Sequence, residues 1–85
     1  MSSTKSFSAK KFGKKLKRLR LQHGMTLKEL ADALGYATHA YISEIESGKK
    51  VPTVEFVLRT AQLFDVTTDV LLKDELDLTL PRVVE

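Results

Sequence analysis

Cysteine and tryptophan are absent from the 85 residues, and glycine and proline number four and two. Without cysteine there are no disulfides and no thiolate metal sites. A secreted domain this small usually needs such staples, so the expected location is cytoplasmic. No apolar run exceeds three residues, Val70-Leu71-Leu72 being typical, which excludes a helical membrane span. The first residues lack the apolar stretch of a secretion signal. Acid is missing from one end: residues 1–24 carry eight Lys or Arg and no Asp or Glu, whereas Val51 onward holds three basic and seven acidic residues. The net charge of +3 therefore conceals an asymmetry, with one end suited to lie near negative charge.

What is present is an ordinary globular composition, 42% hydrophobic and 29% charged, enough for one domain with a modest core. Residues 1–7 read as a flexible basic leader, 8–73 as the folded unit and 74–85 as a C-terminal tail. Ser8 is placed to cap a first helix reaching about Gln22, with Phe12, Leu16 and Leu19 on one face. Gly24, Gly35 and Gly48 each stand where a helix ends. Thr26 and Glu29 form a capping box for a second helix carrying Leu27, Leu30, Ala31 and Leu34. That helix has barely two turns and depends on packing. After Tyr36-Ala37, Thr38 caps a third helix to Ser47, with Ile42 and Ile45 inward and His39, Ala40, Ser43 and Glu44 outward or at the edge. Pro52-Thr53 opens a fourth, its expected core being Val54, Val57, Leu58, Ala61 and Phe64. A short fifth runs through Val70, Leu71 and Leu72. Then Leu76, Leu78 and Leu80 alternate with Asp77 and Thr79, the period of an extended segment, although Leu72 and Leu76 also share helical spacing.

Two short helices joined by a tight turn, the second with a small polar outer face, define a helix-turn-helix. One helix braces against a duplex while the other enters the major groove. The sequence from 12 to 72 resembles the lambda-repressor-like helix-turn-helix domains of the XRE family. The resemblance lies in Phe12-Gly13-x-x-Leu16-x-x-Leu19-Arg20, Thr26-x-x-Glu29-Leu30-Ala31-x-x-Leu34-Gly35, and Tyr41-Ile42-Ser43-x-Ile45-Glu46-Ser47-Gly48-Lys49-x-x-Pro52. It continues in Leu58-x-x-Ala61 and Asp69-x-Leu71-Leu72. It implies an all-α, compact five-helix bundle, here followed by a short extended tail, that binds double-stranded DNA as a homodimer on a pseudo-palindromic operator.

By position, the resemblance implies base contacts from His39, Ala40 and Glu44. It implies backbone contacts from Thr38, Tyr41, Ser43, Lys49 and Lys50, to which the basic first helix adds Lys14 and Lys17. Glu46 falls on a common acidic family position and is expected to pair with a basic residue of the first helix. Two departures stand out: Leu27 replaces the family's phosphate-binding Gln, and the turn carries one extra residue. Dimerisation is expected from Leu72, Leu76, Leu78 and Leu80, since a bundle with its own core leaves that row another surface to cover.

Other chemistries lack their residues. Two His form no clustered ligand set, so no metal or other cofactor is expected. No Gly-rich phosphate loop, Cys nucleophile, Ser-His-Asp arrangement or buried carboxylate pair argues for an enzyme, and no small-molecule ligand is evident. A membrane-surface role for the basic helix conflicts with the domain's own need for its narrow apolar face. The expected function is a small transcriptional regulator, acting as a repressor. Its rivals are an antitoxin that also represses its operon, and a protein-interaction module that has lost DNA binding.

Overall fold

Ser8 accepts a hydrogen bond from the Lys11 amide at 3.2 Å and so starts α1, Ala9–Gln22. The computed structural model describes residues 8–72; the leader 1–7, Lys73 and the tail 74–85, including Leu76, Leu78 and Leu80, lie outside the described residues. Four more helices follow: α2 (Leu27–Leu34), α3 (His39–Glu46), α4 (Val54–Phe64) and α5 (Thr68–Leu72), with no strand among the described residues. The expected caps are all made. Thr26 and Glu29 close the capping box at 3.0 and 2.8 Å, and Thr38 and Thr53 accept from Ala40 and Phe56 at 2.8 and 3.0 Å. Each satisfies amide donors that a helix start leaves open. Gly35 ends α2 in the left-handed region at φ 84°, which only glycine enters without strain.

One core unites the five helices. Phe12, Leu16 and Leu19 of α1 meet Leu30, Ala31 and Leu34 of α2, Ile42 and Ile45 of α3, and Leu71 of α5, all buried. The helix-turn-helix is wedged between α1 and α4: α3 packs on α1 and α2, and α4 on α2 and α5.

The phase of α4 differs from the sequence reading. Val54 and Leu58, expected in the core, are 77% and 50% exposed, while Phe56 and Thr60 are fully buried beside Val57, Ala61 and Phe64. The apolar residues of this helix span more than one face, so spacing alone admits either rotation. The rotation adopted buries the aromatic ring of Phe56, the larger apolar gain. Thr60 tolerates burial because its hydroxyl donates to the Phe56 carbonyl at 2.8 Å.

Candidate nucleic-acid interface

The outer surface of α3 follows from what holds its inner one. Ile42 and Ile45 have no exposure, whereas Thr38, His39, Ala40 and Ser43 are all exposed. Eight residues with two buried side chains make a weak helix, so its position depends on braces. The strongest is ionic. Arg20 of α1 donates through Nε and Nη2 to the two Glu46 carboxylate oxygens at 2.7 and 3.2 Å, and through Nη1 to the Met25 carbonyl at 2.9 Å. Both side chains are nearly dry, 11% and 7% exposed, so all three guanidinium nitrogens donate where water competes little. Glu46 thus has the partner type expected of it, and the particular residue is Arg20.

Gly13 permits α1 to reach the end of α3. A Cβ there would run into the carbonyl oxygens of Ile45 and Glu46 and lie 2.8 Å from the Glu46 carbonyl carbon. Tyr36, Tyr41 and Phe56 form a mutual ring cluster with centroids 5.2–5.6 Å apart, joining the turn, α3 and α4. Arg59 of α4 then secures the turn from outside. Its Nη1 donates to the Leu34 carbonyl at 2.8 Å, its Nη2 meets Glu55 at 2.6 Å, and the group lies 5.9 Å from the Tyr36 ring centre. The sequence reading missed Tyr36 and Arg59; the only signal was Glu55 four residues before Arg59 on one helix face.

The expected contact residues divide into two groups. Thr38, His39, Ala40 and Ser43 share the exposed start and outer face of α3, and the loop after it carries the exposed Lys49 and Lys50. Tyr41 is half-buried, and partial burial, reinforced by Tyr36 and opposed by Lys50, pushes its phenol above its ordinary pKa. Glu44 is also half-buried, with Oε1 3.3 Å from Lys50 Nζ. Lys14 and Lys17 belong elsewhere: with Arg18, Leu21 and Gln22 they line a shallow basic surface made by α1 alone. Leu27, at the position where the family has Gln, packs partly buried against the core. No group of three His, Asp or Glu fit to hold a metal occurs among the described residues.

A short helix presenting small polar residues, rigidly held, next to a loop with two lysines defines the helix-turn-helix class of DNA-binding domain. Residues 16–71 match the family model described as "Helix-turn-helix", and the chain belongs to that family, in its lambda-repressor-like XRE form. It is similar to the HTH-type transcriptional activator BcrR of Enterococcus faecalis, 39% identical over 69 residues, covering 81% of this chain and 33% of that protein. The chain spans a third or less of the length of the curated relatives it matches. Among solved structures it resembles the restriction-modification controller protein C.AhdI from Aeromonas hydrophila, with a TM-score of 0.68 and 26% identity over 75% of this chain and 96% of that one. It also resembles the N-terminal DNA-binding domain of SinR from Bacillus subtilis, with a TM-score of 0.68 and 30% identity over 78% and 96% of the chains. SinR, a master regulator for biofilm formation, has been solved in complex with DNA, and that structure aligns with a TM-score of 0.64 and 31% identity over 71% and 95%. No described helix is long and apolar enough to cross a membrane.

Proposed function

We propose that this chain binds double-stranded DNA sequence-specifically and regulates transcription from the cytoplasm as a homodimeric repressor. The observation that carries the reading is the division of α3: Ile42 and Ile45 wholly buried, His39, Ala40 and Ser43 exposed. His39, Ala40 and Glu44 read base edges; Thr38, Tyr41, Ser43, Lys49 and Lys50 meet the sugar-phosphate backbone, with Lys14 and Lys17 adding positive field from α1. Repression needs only occupancy of an operator, whereas activation needs a further contact. Selection of bound duplexes from a random pool tests specificity: two half-sites one helical turn apart, about 34–36 Å, are expected. Lys49→Ala should weaken binding to every sequence and flatten the log–log salt slope by about 0.9. A flat mobility shift at low salt would refute DNA binding and favour an interaction module.

Dimerisation draws on Leu72, Leu76, Leu78 and Leu80. Leu72 lines an apolar groove of about 350 Å³ with Val51, Val54 and Leu58, and the remaining leucines follow within eight residues of it. The groove is an apolar surface left exposed on the bundle, and a second copy of this chain is its occupant under two-fold symmetry. Sedimentation of the full chain, of a version ending at Lys73 and of Leu58→Asp tests this. Leu58 is half exposed, so the substitution should separate the copies without unfolding them. Undiminished dimers in both variants would refute it.

A further inference from the structure

Glu44 is already engaged in the folded chain, and its engagement is built into the backbone. Its carbonyl accepts from the amides of Lys49 at 2.9 Å and Lys50 at 3.3 Å, and from the Ser47 hydroxyl at 3.1 Å. This closed turn brings the Lys50 ammonium back to the Glu44 carboxylate, 3.3 Å away, with both side chains about half exposed. The same ammonium lies 5.7 Å from the centre of the Tyr41 ring, and that ring is wedged against Tyr36 and Phe56. A carboxylate and one of the two loop cations therefore occupy a single place on the surface proposed to face DNA. Lys49 is exposed and pairs with no carboxylate among the described residues.

We propose that Glu44 is a specificity-determining gate: its carboxylate competes with DNA phosphate for Lys50 and releases it only where a base offers Glu44 another donor. The proposal rests on the DNA-binding reading above. A half-exposed ion pair contributes little to folding, so it opens readily when both partners are compensated. On an arbitrary duplex they are not. If Lys50 turned to a phosphate, Glu44 would face the polyanion unpaired, so the lysine stays with its carboxylate and releases no counterion. Opposite cytosine, N4 donates to Glu44, and Lys50 then joins Lys49 on the backbone. The pair thus lowers affinity for wrong sequences more than it raises affinity for the right one, a repulsive route to specificity.

The experiment is a double-mutant cycle on the full chain. Wild type, Glu44→Gln, Lys50→Met, Lys49→Met and the two Gln–Met combinations are titrated against a random duplex over a salt series, with melting curves to verify folding. Glu44→Gln should tighten random-duplex binding and steepen its salt slope by about 0.9, so that its advantage shrinks about 3.5-fold between 50 and 200 mM salt. Lys50→Met should cost less than Lys49→Met in the wild-type background and equally with Gln at 44. If Glu44→Gln tightens binding as much without Lys50 as with it, the carboxylate merely repels phosphate and the gate is overturned. An unchanged random-duplex affinity in Glu44→Gln overturns it too. Wild-type protein that retains no duplex at low salt refutes instead the DNA-binding reading, and the gate falls with it.

Discussion

Removing Glu46 or Arg20 alone should cost this domain a large share of its stability. In the folded state the pair is nearly dry, and Arg20 uses three nitrogens, two on Glu46 and one on the Met25 carbonyl. Deleting one partner leaves the other as an uncompensated buried charge, which costs about 3–5 kcal/mol. A chain of this size has roughly 4–13 kcal/mol in total, at about 0.05–0.15 kcal/mol per residue. At about 4–8 °C per kcal/mol, Glu46→Ala should lower Tm by about 12 °C or more. Lys28 and Asp32 provide the internal control, at 3.5 Å and 76% and 65% exposed, where Lys28→Ala should change stability by about 0.5 kcal/mol or less. Replacing both buried partners, Arg20→Met with Glu46→Leu, removes the charges together and should recover part of the loss. Recovery stays incomplete because the Met25 carbonyl loses its donor, worth about 1–3 kcal/mol if it remains shielded from water. Urea unfolding followed by circular dichroism measures all three variants, with unchanged slopes certifying a comparable unfolding reaction. Equal losses in Glu46→Ala and Lys28→Ala would refute the premise that the Arg20–Glu46 pair is dry.

Three further outcomes follow from single contacts. Gly13→Ala gains about 1 kcal/mol of helix propensity but drives a methyl into the backbone of Ile45 and Glu46, a clash at the upper end of the usual overpacking cost of about 1–3 kcal/mol, so a net loss of about 2 kcal/mol is expected; an equally stable variant in thermal melts would show that α1 and α3 can separate without cost. Thr38→Ala removes the hydroxyl that accepts from the Ala40 amide and should cost about 0.5–2 kcal/mol, measured by urea unfolding, with Thr38→Ser restoring it. Tyr41 holds its proton more tightly folded than unfolded, so its contribution is complete below the ordinary phenol pKa and fades as pH rises through the raised one; Tyr41→Phe should flatten stability above about pH 10, and identical alkaline profiles would refute the shift.

The local half of this architecture was legible because its signals act over three or four residues. Ser8, Thr26, Thr38 and Thr53 cap the helices that follow them, and Ile42 and Ile45 face inward as their spacing requires. The illegible half consists of contacts between distant positions. Arg20 meets Glu46 across 26 residues, a pairing legible only through the family resemblance and only as some basic residue of the first helix, and Arg59 meets Leu34 across 25; no periodicity encodes a partner at that range. In α4, Val57, Ala61 and Phe64 are buried as their spacing requires, but whether Val54 or Phe56 joins them depends on Tyr36 and Tyr41, which supply the other side of the aromatic cluster. Helix spacing puts Glu44 outward or at the edge of α3, and it is half-buried there, but its bond to Lys50 arises from the turn at Ser47–Lys50, and helix geometry alone does not contain it.

The rotation of α4 has a consequence for how the surface is divided. Turning Phe56 and Thr60 inward commits one face of the helix to the bundle and, through Phe56 and Arg59, to the turn between α2 and α3. The same rotation necessarily turns Val54 and Leu58 outward, beside Val51 and Leu72. Had Val54 and Leu58 filled the core instead, Phe56 could not brace Tyr41, and α3 would rest mainly on its two isoleucines and Glu46. The exposed apolar groove is therefore the counterpart of a firmly held α3. A helix this short presents its side chains in a defined direction only if its axis is fixed, and Phe56 of α4, through Tyr41, fixes it together with the Arg20–Glu46 pair.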